Sequence, residues 1–235
     1  MSLSVILTCY NEVPLIFTSY ERINRMLERS GTEYELIVVD DGTGAALKKE
    51  LIEYFHARPN ATLLLSDVNE GRGAAITRGI SASTKEYVGF IDTDLEISET
   101  YLLKLYEVIV KENKDAVIGR RVYKFNRNIN NWIRNIASRI YFFIANIVLN
   151  MHFLDTETGI KIFRRSAVLH ALGNVRDKRW FWDTELMAES LKNHLKVAQV
   201  PVRVDRKDKK SSVSVIKDSL EYIKGLYRYR NRGST

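Results

Sequence analysis

Short apolar runs and helix-period segments alternate along the first half of the chain. Leu3 to Thr8, Glu35 to Val39, Ala61 to Leu65 and the run from Tyr87 to Ile91 read as buried strands. Between them, a helix from Pro14 to about Arg29 places Ile16, Tyr20, Ile23 and Leu27 on one face. A second helix spans Ala46 to His56, and a third opens in the glycine-rich stretch Asn69-Glu70-Gly71-Arg72-Gly73-Ala74-Ala75 and runs to about Ser83. Such alternation predicts an α/β fold: a mostly parallel sheet with helices on both faces.

The second half continues with a strand at Ala116 to Gly119, expected beside the Tyr87–Ile91 strand, and another at Ile160 to Arg164, with Ser166 as a cap for the helix after it. Trp180-Phe181-Trp182-Asp183-Thr184-Glu185 opens a further helix, for which Asp183 has N-cap chemistry. Val197 to Val204 reads as an edge strand because it contains Pro201. Val213 to Tyr229 is a basic amphipathic helix with Val213, Ile216, Leu220, Ile223 and Tyr227 on one side. The segment from Asn126 to His152 turns from basic to apolar at Ile140. A helix apolar nearly all round is either buried, the default expectation, or set in a membrane interface.

Polar residues gather where the strands end. Cys9-Tyr10-Asn11-Glu12, Asp40-Asp41-Gly42 and Asp92-Thr93-Asp94-Leu95-Glu96 all follow apolar runs. In open α/β sheets, ligands bind outside those carboxyl ends. On an extended chain Asp92, Asp94 and Glu96 share a face, a pattern suited to a hard divalent cation. The alternative is a turn that leads into the helix after Ser98-Glu99-Thr100. Asn-Glu-Gly-Arg-Gly at a helix start offers backbone N–H groups and a cation to an anion such as a diphosphate, or is simply a turn.

Composition narrows the setting. The 235 residues, 45% hydrophobic and 28% charged, suit a globular chain with a substantial core. The single cysteine, Cys9, excludes a disulfide framework and suits a reducing compartment. No basic leader precedes the first strand, so no signal peptide is expected. The apolar run Ile140 to Leu149 is shorter than the roughly 20 residues that span a bilayer. Between Arg203 and Arg232 stand ten basic and four acidic residues, so nearly all of the net charge of +7 lies there. That segment calls for an anionic partner; a membrane surface fits better than nucleic acid, for which no binding motif is present.

Taken together, Val5-Ile6-Leu7-Thr8-Cys9-Tyr10-Asn11-Glu12, Ile37-Val38-Val39-Asp40-Asp41-Gly42, the glycine-rich stretch and Phe90-Ile91-Asp92-Thr93-Asp94-Leu95-Glu96 resemble the family-2 glycosyltransferases of GT-A fold. Val117-Ile118-Gly119-Arg120-Arg121, Arg134 with Ser138, Asp155-Thr156-Glu157-Thr158-Gly159-Ile160-Lys161 and Phe181-Trp182-Asp183-Thr184-Glu185-Leu186 resemble the dolichyl- or polyprenyl-phosphate mannosyl- and glucosyltransferase branch. The resemblance runs from Leu3 to about Tyr227. The chain departs from it at Glu96, where many members carry Gln, and at Ser211-Ser212-Val213, where they carry Ser-Lys-Val.

The resemblance implies one GT-A domain over 1–235: a nucleotide-sugar half at 1–120, an acceptor half at 121–210 and the basic helix at 211–235. It implies transfer of a hexose, with inversion, from a GDP-mannose or UDP-glucose type donor to a polyprenyl phosphate on the cytoplasmic membrane face. Asp41 would contact the base, with Tyr10 and Glu12 near base and ribose; Thr8, Asn11, Asn69, Arg72, Gly73 and Thr93 would line the same donor site. Asp92 and Asp94, joined by Glu96, would hold Mg²⁺ or Mn²⁺ against the diphosphate. Arg121, Arg134 and Ser138 would meet the acceptor phosphate. With a glycan or other hydroxyl acceptor instead, Asp155, Asp183 or Glu185 would act as base alongside catalytic Asp94. A nucleotide-sugar-binding module without turnover is the reading from another class.

Overall fold

The computed structural model of the protein describes residues 2–123, 140–151, 154–205 and 215–233. Arg134 and Ser138 lie outside them. The strands are β1 (Ser2–Cys9), β2 (Glu33–Asp40), β3 (Ala61–Leu64), β4 (Tyr87–Ile91), β5 (Ala116–Tyr123), β6 (Ile160–Arg164) and β7 (Val197–Val204). They form one sheet in the order β3-β2-β1-β4-β6-β5-β7. The helices are α1 (Val13–Ser30), α2 (Ala45–His56), α3 (Arg72–Ala82), α4 (Thr100–Lys111), α5 (140–149), α6 (Arg165–Leu172), α7 (Trp182–Lys192) and α8 (Val215–Arg230).

Alternation along each strand divides the core into two layers. Val5, Leu7, Leu36, Val38, Ile160 and Ile162 face α1, α2 and α4. Ile6, Ile37, Val39, Val88, Phe90 and Phe163 face α3, α6 and α7. A strand buried on both faces needs apolar residues at nearly every position, which is why β1, β2 and β4 read as continuous runs. β7 is an edge strand, so Pro201 removes no ladder bond on a second side.

Three expectations are corrected. β5 does not neighbour β4: β6 lies between them, antiparallel to both, with Phe90 opposite Lys161 and Ile91 opposite Ile160. Hydrophobic period gives neither strand direction nor neighbour. The reversal matters to the site, because β6 begins at the edge where the parallel strands end. Second, Ser166 does not cap α6, which starts at Arg165, and Asp183 lies inside the first turn of α7, whose N-cap is Phe181. Third, α5 is not buried all round. Tyr141 and Ala145 pack with Phe181, Ala188, Leu226 and Tyr229 in a satellite cluster, while Phe143 and Ile147 stand 52% and 74% exposed.

The last helix packs through a side that the spacing of its apolar residues does not single out. Leu226 and Tyr229 of α8 face the protein, and Ile223 and Tyr227 face outward. Among the described residues no helix is long and apolar enough to cross a membrane.

Candidate functional site

The carboxyl ends of β1, β2 and β4, the start of α3 and α7, and the turn entering β6 meet at one edge of the sheet. Two adjacent aspartates at the end of β2 divide the work there. Asp40, fully buried, accepts the backbone N–H of Thr43 at 2.9 Å and shapes its own turn. Asp41 reaches across to the glycine-rich loop and accepts the N–H of Glu70 at 3.0 Å and of Gly71 at 2.9 Å, one on each oxygen. The loop is therefore anchored by a carboxylate that faces two amides, which strengthens both bonds relative to neutral acceptors. Gly71 adopts φ 112°, and a β-carbon there would stand 2.5 Å from the carbonyl oxygen of Lys178. Both conformation and close approach require glycine.

Beyond β1, Asn11 takes a left-handed conformation with φ 56°. Its Oδ1 accepts the Gly44 N–H and its own N–H donates to Thr43 Oγ1, each at 3.0 Å. Asn11 thus ties the β1 loop to the β2 loop. Tyr10 and Glu12 are exposed beside it, and Asn69 is half-buried. Thr8 contributes its carbonyl, which accepts the Thr93 hydroxyl at 2.6 Å.

The centre of the site is a chain of alternating charges. Arg72, the first residue of α3, donates Nε and Nη2 to Asp92 Oδ1 at 2.9 and 2.6 Å. Its Nη1 donates to Asp183 Oδ2 at 2.5 Å. Lys161, fully buried in β6, donates to Asp183 Oδ1 at 2.6 Å and to the Thr158 carbonyl at 2.7 Å. Phe90 floors this array, with the Arg72 guanidinium 5.5 Å and the Lys161 ammonium 5.1 Å from its ring centre. Burial opposes ionisation of Asp183, but Arg72 and Lys161 outweigh it and hold its carboxyl below the usual range. Burial pushes the Lys161 pKa down despite Asp183. Burial also opposes the Arg72 charge, and Asp183 with Asp92 more than restores it.

Lys161 and Gly159 have no assigned role in the sequence reading, although both belong to its motifs. A lysine in the middle of an apolar strand is the signal that could have found Lys161, since such a charge survives only when paired. Gly159 donates space: a β-carbon there would collide with Asp92 Oδ2. Its carbonyl accepts the Asp92 N–H at 2.9 Å.

Asp92, Asp94 and Glu96 do not converge as an extended chain would bring them. After Ile91 the backbone turns, with Leu95 at φ 49°, and Asp94 Oδ1 accepts the Glu96 N–H at 3.0 Å. Among the described residues no group of three His, Cys, Asp or Glu forms a ready cation cage. The donor set still fits Mg²⁺ or Mn²⁺: such ions commonly take one or two carboxylates and complete their shell with phosphate oxygens and water.

The remaining carboxylates also have cations. Asp155 receives the Arg121 backbone N–H at 2.8 Å and its Nη2 at 2.6 Å, and Glu157 receives the same Nη2 at 3.0 Å. Glu185, fully buried, accepts the N–H groups of Arg176 and Asp177 at 3.1 and 2.7 Å and pairs with Arg232. In this structure Glu185 faces a loop and the end of α8, a position that does not suit the base role considered for it.

This fold is that of the GT-A glycosyltransferases. Residues 4–171 match the model of glycosyl transferase family 2, and the chain belongs to that family. It is 27% identical over 231 residues to glycosyltransferase AglD of Haloferax volcanii, a match covering 94% of this chain and 35% of that protein. It is 26% identical over 243 residues to the dolichyl-phosphate β-glucosyltransferase of Dictyostelium discoideum, covering 98% of this chain and 74% of the relative. The chain thus spans about a third of the first relative and three quarters of the second. In fold it resembles glucosyl-3-phosphoglycerate synthase from Mycobacterium tuberculosis, solved with Mn²⁺, UDP and glucosyl-3-phosphoglycerate, with a TM-score of 0.72 and 18% identity over 97% of this chain and 79% of that one. The same enzyme has been solved with Mg²⁺ and UDP.

Proposed function

We infer that the protein moves a hexose from a nucleotide-diphospho-sugar to a polyprenyl phosphate. The observation that carries this reading is Asp183 between Arg72 and Lys161. A hydroxyl acceptor needs a base to take its proton, and a carboxylate held by two cations with a lowered pKa is a poor one. Asp155 and Glu185 are likewise ion-paired. A phosphate acceptor is already an anion and needs no base. The relative named for dolichyl-phosphate β-glucosyl transfer supports the same acceptor class and favours glucose over mannose.

In this reading the glycine-rich loop, fixed by Asp41, receives the donor nucleotide together with Tyr10 and Glu12. Asp92 and Asp94 would hold Mg²⁺ or Mn²⁺, which when bound stabilises negative charge on the departing nucleoside diphosphate. Arg72, beside Asp92, adds a fixed positive charge to the same region. Arg121, oriented by Asp155 and Glu157, and Arg134 hold the acceptor phosphate charged and aimed. In-line attack from the face opposite the diphosphate inverts the anomeric carbon.

The lipid end of such an acceptor lies in a membrane. The outward faces of α5 and α8 offer Ile140, Phe143, Ile147, Ile223 and Tyr227, with Lys224 and Arg230 alongside. We place this surface against the anionic cytoplasmic leaflet, each basic residue adding about 1 kcal/mol. A donor screen that measures nucleoside diphosphate release from UDP-glucose and GDP-mannose, with and without a short polyprenyl phosphate, tests the assignment. Release that depends on the lipid supports it; equal release with a free glycan overturns it.

A further inference from the structure

We propose that Arg232 is a positioning residue for the donor site, acting through Glu185 and the loop before α7. The proposal rests on the reading that residues 69–73 receive the donor nucleotide.

Glu185 has no access to solvent, yet both its oxygens are used. Oε1 accepts the Arg176 N–H at 3.1 Å and Oε2 the Asp177 N–H at 2.7 Å. Arg232, in the short turn Asn231–Gly233 after α8, supplies the balancing charge at Oε1. Arg228 reaches the same loop, 3.4 Å from Asp177 Oδ2. The next loop residue, Lys178, touches the glycine-rich segment in three ways. Its carbonyl accepts the Ala74 N–H at 3.0 Å, near the start of α3. Its ammonium lies 2.6 Å from Glu70 Oε1. Its carbonyl also fills the space where a Gly71 side chain would stand.

The glycine-rich loop is thus clamped from two sides. Asp41 holds Glu70 and Gly71 from the end of β2, and Lys178 holds Glu70 and Ala74 and packs on Gly71 from the end of a loop that Glu185 fixes. Arg72 lies between these clamps and carries Asp92 and Asp183. Removing Arg232 leaves Glu185 as an uncompensated charge in a dry site, an arrangement that is costly to keep. The carboxylate is stable only where solvent or another donor reaches it, so it is drawn away from the two loop amides that it accepts. The loop at 175–178 then loosens, and the clamp on 69–74 loosens with it. α8 in this account does more than present basic residues to a membrane: its final turn sets the shape of the nucleotide-receiving loop.

Amide hydrogen exchange and nucleotide titration on the full chain test this directly. Wild type, Arg232→Gln and Arg232→Lys are compared for exchange in peptides covering 69–75 and 175–179, and for affinity to UDP and to GDP, each with Mn²⁺. Arg232→Gln should exchange about tenfold faster in both peptides and bind nucleotide about tenfold more weakly, the scale of one lost charge-assisted contact. Arg232→Lys, which keeps the charge, should recover most of both. Exchange of the β1 and β2 amides should not change. Glu185→Gln provides a second route without a buried unpaired charge: its single carbonyl oxygen serves one loop amide, and the same two shifts should follow. Wild-type exchange at 69–75 in both Arg232→Gln and Glu185→Gln overturns the proposal, whatever happens at 175–179. If wild type binds neither nucleotide, the donor reading fails, and the exchange data still decide the coupling.

Discussion

Gly159 stands against the carboxylate of Asp92 so closely that any β-carbon at 159 would displace it. The contact arises because β6 enters the sheet antiparallel to β4, bringing the turn at 155–159 back to the edge where β4 ends. Gly159 is not in a left-handed conformation, so space alone restricts it. Gly159→Ala should therefore fold but turn Asp92 away from Arg72 and the diphosphate. We expect transfer to fall roughly 10²-fold, as for a misplacement of about 1 Å at a reacting centre. Thermal unfolding with steady-state kinetics checks it; near-normal turnover would mean that the position of Asp92 is not limiting.

Asp183 links stability to pH. Its folded pKa lies below the ordinary 3.8, so its ion pairs stabilise the protein fully above that value, and the contribution is lost as pH falls through the folded pKa. Asp183→Asn would leave Lys161 and Arg72 without that partner, at a cost of about 3–5 kcal/mol. Denaturant unfolding at pH 7 should register this loss, and the difference between variant and wild type should shrink below about pH 4. A difference that stays constant into acid would contradict the assignment.

The proposed cation site at the end of β4 is tested through its two aspartates. Asp92→Ala and Asp94→Ala should each lower transfer by about 10³-fold or more, the scale of a lost Lewis-acid contribution. Both side chains leave the sheet edge rather than the core, so the circular dichroism spectrum should stay close to wild type; the melting temperature should fall more for Asp92→Ala, which takes a partner from Arg72, than for Asp94→Ala. EDTA should abolish activity, and Mg²⁺ or Mn²⁺ should restore it. Full turnover in chelator would remove the cation from the account.

Much of this site was legible in the chain. Buried strands betray themselves as apolar runs, and polar residues right after them mark a candidate ligand edge; Asn11, Asp41 and Asp92 do stand together at that edge. The order β4-β6-β5 was not, because an apolar run looks the same in either direction. Nor was the alternating chain Asp92–Arg72–Asp183–Lys161, whose members come from the turn after β4, from α3, α7 and β6, far apart in sequence. Asp183 has helix-cap chemistry, and only the packing of α7 on β6 turns it toward Lys161. In α8 the basic, amphipathic character was plain, but the spacing does not say which side packs; the buried side is that of Leu226 and Tyr229, with Ile223 and Tyr227 outward.

The outward faces of α5 and α8 give the membrane reading its test. Phe143→Ser with Ile147→Ser should weaken flotation with anionic liposomes by about tenfold, since two large side chains stabilise interfacial insertion by a few kcal/mol at most. Binding by the wild type should also weaken as salt rises. Solution nucleotide affinity should not change. Liposome binding that is indifferent to both substitutions and to salt would place the membrane contact elsewhere.

In the proposed reaction the acceptor brings its own negative charge, since Asp183, Asp155 and Glu185 are each paired with cations. The most direct measurement compares a short polyprenyl phosphate with the corresponding polyprenol as acceptor, at equal concentration, with the donor that supports nucleotide release. Sugar should pass to the phosphate and none above background to the alcohol. Comparable transfer to the alcohol would mean that a base operates in this site, and would contradict the proposed reaction.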